Sequence, residues 1–180
     1  YVVQPRDLPF VGNTLWFAEA FCGLIMNADR EIEFRIKTLT AEDTDKASEL
    51  FHSFQVDDGI RDPTKASDEY LKRILSKADF HVIAASVDKT IVGGLVAYEL
   101  LKYKDESAEM YLFEMGVDAS FQRRGIGTAL IEKLKDICRE KGITEMFVGA
   151  LDDNMPAKAL YKSTGGSEEK VSEFTYQIEP

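Results

Sequence analysis

The chain has 180 residues, a formal net charge of −10, 44% apolar and 30% charged residues, two cysteines and two histidines. A chain of this length forms one domain with a core large enough to need no disulfide or metal staple. The charge argues against nucleic acid and anionic membranes and suits a polycationic ligand, His52 and His81 are too few for a histidine metal centre, and Cys22 and Cys138, without metal-ligand or framework spacing, read as reduced thiols of a cytoplasmic protein.

Residues 1–32 differ from the rest. They carry the only tryptophan, Trp16, and a mildly apolar stretch, Leu15–Ile25, broken by Glu19. Without a basic leader, and too short to span a bilayer, the stretch is read as neither a signal peptide nor a membrane segment. Met26 is read as an alternative start, and residues 1–32 as an N-terminal extension that, if folded, forms a short helix against the domain or a second subunit. The domain proper is 33–180. Its first strand is Glu33–Thr38, by period-two alternation. Thr40 and Asp43 resemble a capping pair, followed by Ala47, Leu50, Phe51 and Phe54 at helical spacing. Asp57–Thr64, with Gly59 and Pro63, is a loop. Ser67 caps a second helix with the apolar stripe Tyr70, Leu71, Ile74 and Leu75. Phe80–Val87, Thr90–Leu101 and Ala108–Val117 form an antiparallel meander. Ile126–Lys141 is a long amphipathic helix ended by Gly142. Ile143–Ala150 is a buried strand, Pro156–Thr164 a short helix closed by Gly165 and Gly166, and Glu173–Ile178 a last strand. The order β-α-α-β-β-β-α-β-α-β is an α/β fold with a mixed sheet.

The turn Gln122-Arg123-Arg124-Gly125-Ile126-Gly127 joins the third meander strand to the long helix. A basic, glycine-broken turn at a helix N-terminus gathers unpaired N–H groups and the positive end of the helix dipole into a phosphate site. Gly125 is expected to take a positive φ, and Gly127 to clear space where a ligand meets the backbone.

Within Ala108–Val117, uninterrupted alternation places Glu109, Tyr111, Phe113, Met115 and Val117 on one face and Met110, Leu112, Glu114 and Gly116 on the other. A carboxylate among Met110, Leu112 and Gly116 is costly to bury without a partner, which makes Glu114 a candidate for chemistry.

Three segments in register resemble the GCN5-related N-acetyltransferase (GNAT) superfamily. Gln122 to Gly127 fits its Q/R-x-x-G-x-G/A loop, Glu114-Met115-Gly116-Val117 occupies the strand before it, and Asn154 to Gly165, with Ala157, Leu160 and Tyr161, fits its N-x-x-A-x-x-L-Y-x-x-x-G segment. Narrower phrases, Ser67–Leu71, Val92–Tyr98, Glu109–Glu114 and Pro156–Tyr161, are similar to the aminoglycoside 3-N-acetyltransferase branch. The chain departs from that branch at Gly127, where alanine is usual, and in the placement of Asp152 and Asp153.

The resemblance implies a GNAT fold, a mixed and mostly antiparallel sheet with splayed central strands and flanking helices. It implies acetyl-coenzyme A as cofactor and a polycationic amine, first of all the 3-amino group of an aminoglycoside, as acceptor, with no metal, nucleic acid or membrane involved. Other acceptors remain open: a polyamine, a small-metabolite amine or a protein amine. A non-catalytic acyl-coenzyme A module is the reading from another class. Backbone groups from Arg123 to Thr128, with Gln122, Arg123, Arg124, Gly125, Ile126, Gly127 and Thr128 as the cradle, would hold the pyrophosphate, and Met115, Gly116, Val117, Asn154, Ala157 and Tyr161 the rest of the cofactor. If the strand splays or bulges there, which Gly116 makes inexpensive, a freed N–H near Met115 or Val117 would polarise the thioester; Glu114 would serve as base, with Asp152 and Asp153 as alternatives, and Tyr161 would protonate the leaving sulfur. Asp57, Asp58, Glu109, Tyr111, Glu114, Asp152 and Asp153 are the candidates for binding the substrate's ammonium groups. A homodimer, with residues 1–32 at its interface, is one assembly the resemblance allows.

Overall fold

A computed structural model describes residues 32–178; the expectations placed on Trp16, Cys22, Met26 and the rest of 1–31 lie outside the described residues. The elements are β1 (Arg35–Thr38), α1 (Thr44–Asp57), α2 (Asp68–Leu75), β2 (Phe80–Val87), β3 (Thr90–Leu101), β4 (Ala108–Val117), a 3₁₀ turn (Ala119–Phe121), α3 (Ile126–Lys141), β5 (Met146–Val148) and α4 (Met155–Ser163). The five strands lie in the order β1-β2-β3-β4-β5. All neighbours are antiparallel except β4 and β5, which run parallel.

The alternation of the strands sorts side chains onto two faces, each with its own core. On one face Ile83, Leu95, Ala97, Met110 and Leu112 pack under the apolar stripe of α3, with Leu130, Ile131 and Leu134 fully buried. On the other, Val82, Ala84 and Val96 meet Leu50 and Phe54 of α1 and Leu75 of α2. Asp88 and Lys89 both take positive φ, the conformation a tight hairpin needs, and join β2 to β3. Ser67 caps α2 by accepting from the Tyr70 N–H at 3.2 Å.

Three expectations change. The N-cap of α1 is Asp43, not Thr40. Asp43 accepts from the Thr40 N–H at 3.1 Å and closes the turn before the helix. Its burial raises the carboxyl pKa, but hydrogen bonds from the Lys37 ammonium and from Thr40 outweigh that and hold it at about 2. The strand expected over Ile143–Ala150 is only β5, because Ile143 is used to end α3: its N–H donates to Cys138 O at 2.8 Å. The strand expected at Glu173–Ile178 pairs with no other strand among the described residues, and Phe174, Tyr176 and Ile178 are exposed there. Alternation makes a segment competent to join a sheet; only an available neighbouring edge makes it a strand.

Candidate active site

The centre of the site is a defect in β4. Val96 of β3 faces Glu114, whereas the next residue, Ala97, faces Leu112. Phe113 is therefore an extra residue, a β-bulge, and it reverses the alternation beyond it. Met115 and Val117 join Met110 and Leu112 on the α3 side. Glu114 and Gly116 turn to the α1 side, the face of Tyr111 and Val96. The uninterrupted alternation expected from sequence is thus wrong after Leu112: Glu114 does not share a face with Met110 and Leu112. The bulge also explains how a carboxylate can sit in this strand without entering the main core.

Glu114 lies in a cleft of about 240 Å³ lined by Phe51, Phe54, Asp58, Tyr98 and Phe113 among others. A Cβ added to Gly116 would lie 3.1 Å from Phe54 and 3.5 Å from Asp57 Oδ2, so the glycine lets the end of α1 approach the strand. Burial, and then the charges of Asp58 and Asp57, hold the Glu114 carboxyl above the ordinary glutamate range. No ion pair among the described residues uses Asp57, Asp58 or Glu114. Asp57 and Asp58 also end α1, where the helix dipole disfavours negative charge. An aromatic run borders the cleft: Phe80 to Tyr98 at 5.1 Å between centroids, Tyr98 to Phe113 at 5.5 Å, and Phe113 to Tyr111 at 5.8 Å.

Of the other substrate-binding candidates, three have side-chain partners of their own and one is simply exposed. Glu109 pairs with Lys102 at 3.1 Å. Asp152 is fully exposed and pairs with Lys158 at 2.9 Å, and Asp153 is exposed. Tyr111 stacks on Phe147 at 4.9 Å. Of the seven acceptor-site candidates, the fold brings together Asp57, Asp58 and Glu114.

On the opposite side of β4 the sheet opens. The β4–β5 ladder covers only Met110–Leu112 against Met146–Val148. Beyond it β4 pairs, among the described residues, with β3 alone. The Asp118 N–H donates to Val92 O on the β3 side at 2.9 Å. Strand alternation then aims the N–H groups of Met115 and Val117 to the open side. The Val117 carbonyl points there too and accepts from Gln122 Nε2 at 2.9 Å.

At the mouth of this opening Arg123 (φ 62°) and Gly125 (φ 82°) bend the chain into α3. No side chain caps the helix, and its first internal bond is Ala129 N–H to Gly125 O at 3.0 Å. The N–H groups of Ile126, Gly127 and Thr128 are left facing outward beside two arginines. A Cβ on Gly127 would stand 3.0 Å from Leu160 Cδ2 and 3.4 Å from Met115 Cε, so the glycine also admits protein side chains. Asn154 caps α4, its Oδ1 accepting from the Ala157 N–H at 3.2 Å. This fixes the helix that carries Tyr161, whose phenol packs beside the α3-side core and is raised in pKa by burial.

The residues present fit an acyl-coenzyme A. A diphosphate needs several converging N–H donors and positive charge, which the 123–128 turn offers, and an extended amide-bearing arm needs an unpaired strand edge, which β4 offers beyond Leu112.

Comparison with known proteins bears on both halves of the site. The model of the acetyltransferase (GNAT) family matches residues 47–165. Two aminoglycoside acetyltransferases from uncultured soil metagenomic samples superpose on the chain. One, crystallised with trehalose, is 32% identical with a TM-score of 0.77, over 81% of this chain and 97% of that one; the same protein has been crystallised with sisomicin. The other is 31% identical with a TM-score of 0.78, over 82% and 100%. Among curated proteins, the [ribosomal protein bS18]-alanine N-acetyltransferase of Escherichia coli (strain K12) is 35% identical over 68 residues, 38% of this chain and 46% of that protein. The chain thus matches about half the length of that relative.

Proposed function

Because the chain belongs to the acetyltransferase (GNAT) family, we propose that it transfers an acetyl group from acetyl-coenzyme A to an amino group of a polycationic amine, an aminoglycoside above all, with the 3-amino group as the expected position. The observation that carries the acceptor is the meeting of Asp58 and Glu114 in one cleft, with Asp57 close enough to act on Glu114 by its charge and no cation of the described residues paired to any of the three. Three carboxylates held together repel one another and are relieved by ammonium groups brought in by a ligand. A single alanine nitrogen, the acceptor in the curated relative's name, brings one ammonium and leaves most of that repulsion in place. The two soil enzymes share the fold over nearly their whole length and act on aminoglycosides by name.

When bound, acetyl-coenzyme A supplies the acetyl thioester. The N–H groups of Ile126, Gly127 and Thr128, with Arg123 and Arg124, would hold its diphosphate, and the open edge at Met115 and Val117 would align the arm and offer a donor to the thioester oxygen. Glu114 removes the proton that an alkylammonium must lose before its nitrogen can attack. The raised pKa of its carboxyl brings it nearer the range of a working base. The acid pair beside it steers the cation in and holds its other ammonium groups. Tyr161, kept protonated by burial, carries a proton on Oη for the departing sulfur.

Purified protein incubated with acetyl-coenzyme A and a panel of amines, with free thiol as the readout, tests this. Thiol release is expected with gentamicin-type compounds, and the acetylated position is read from the product by NMR. Release with spermidine or a peptide but none with gentamicin-type compounds would reassign the acceptor. Tight acetyl-coenzyme A binding without release for any amine would leave a non-catalytic module.

A further inference from the structure

We propose that Gln55 is a positioning residue for the acceptor, acting by tying the loop after α1 to the helix and so fixing the acidic wall of the cleft. This rests on the reading of that cleft as the amine site. Helix α1 closes on Gly59: the Gly59 N–H donates to Val56 O at 3.0 Å and the Ile60 N–H to Gln55 O at 2.9 Å. The side chain of Gln55 then reaches four residues further. Its Nε2 donates to Thr64 O at 3.0 Å and its Oε1 accepts from the Thr64 N–H at 2.8 Å, while Nε2 also lies 3.3 Å from Phe51 O. The amide thus serves one loop residue as a neighbouring strand would, satisfying both its donor and its acceptor. Among the described residues no other side chain hydrogen-bonds the backbone of residues 59–66.

The chemistry demands this residue type. Glutamate accepts from Thr64 but cannot donate to it; lysine donates but cannot accept. Position decides the consequence. Gln55 is half-buried between two hollows: the cleft that holds Asp58 and Glu114, and a groove of about 560 Å³ bounded by Thr64, Lys65 and Ala66 on the outer side of α1. With Phe51 it forms the wall shared by the two. With the tether gone, the loop swings on the turn that begins at Asp58, and the last turn of α1, which bears both aspartates, loses its brace.

The test is a double-mutant cycle of Gln55→Ala and Asp58→Asn, with Gln55→Glu alongside. Gln55→Ala should raise KM for the polycationic amine about fivefold or more, move KM for acetyl-coenzyme A by less than about twofold, and speed amide hydrogen exchange at Thr64 about tenfold. In the Asp58→Asn background the same change should add less than about twofold to the amine KM, because its effect runs through that wall. Gln55→Glu should follow Gln55→Ala, having lost the donor. A full effect persisting without Asp58, or both KM values rising together, would make Gln55 merely structural and overturn the proposal. Unaltered exchange at Thr64 overturns it as well. Exchange needs no turnover, so a wild-type protein that acetylates none of the amines would defeat the reading of function while the tether itself is still decided.

Discussion

Helices α1 and α3 end on the same backbone device and on opposite charges. In each, a left-handed glycine, Gly59 (φ 76°) or Gly142 (φ 70°), donates to the carbonyl three residues back, and the next N–H donates to the carbonyl five back. The last turn of α3 carries Arg139 and Lys141, which suit the negative end of the dipole, and Lys141 bonds Glu99 at 2.7 Å and Ala78 O at 3.2 Å. The last turn of α1 carries Asp57 and then Asp58, which oppose it, beside a third carboxylate. One terminus is arranged for stability. The other gives some up, a cost that the proposed amine site would account for.

The sharpest way to break the comparison is Glu114→Gln. We expect kcat/KM for the amine to fall by about 10²–10⁴-fold, while thermal melting at neutral pH moves upward. The second effect follows from the sign of the shift. A carboxyl whose folded pKa lies above its ordinary value of 4.5 favours the folded state when protonated, and this contribution is lost as pH rises through the raised value. The wild-type rate should fall as pH drops through that same value. A Glu114→Gln protein with wild-type turnover would remove Glu114 from the chemistry.

Tyr161→Phe comes next. Turnover should drop about 10–100-fold with little change in either KM. A rate within about twofold of wild type would show the phenol to be only a packing group.

Asp57→Asn and Asp58→Asn should separate binding from stability at the α1 terminus. Each is expected to raise the amine KM several-fold, roughly 1 kcal/mol of binding, and to stabilise the free protein by about 0.3–1 kcal/mol, read by denaturant titration. The matching changes on α3, Arg139→Asp and Lys141→Asp, should destabilise and leave both KM values alone.

A change in the basic glycine turn tests the cofactor half of the site alone. Gly125→Ala places a side chain at a φ of 82° with open space around it, so the cost is conformational, about 1–2 kcal/mol. It should appear as a higher KM for acetyl-coenzyme A and an unchanged one for the amine.

Much of this was legible in the chain. The periodicity of Ile126–Lys141 and the turn signals at Ser67, Asp88-Lys89 and Gly142 correspond closely to α3, the α2 cap, the β2–β3 hairpin and the end of α3, since each depends on neighbours within a few residues. The basic glycine turn before α3 was readable for the same reason. What sequence left open depends on pairing between distant segments. The bulge at Phe113 exists only because β3 pairs with β4 in two registers, and nothing local in Glu109–Val117 announces it. That one unpaired residue moves Glu114 across the sheet to Asp57 and Asp58, which lie more than fifty positions earlier. Likewise Glu173–Ile178 has the alternation of a strand and no partner among the described residues, and Glu109 and Asp152 have the charge of ligand-binding groups but are paired with Lys102 and Lys158. The elements and the basic glycine turn follow from local sequence, through short-range hydrogen bonding and hydrophobic period. Which carboxylates face one another was decided by the tertiary structure, because register and the approach of α1 at Gly116 are properties of the packed sheet.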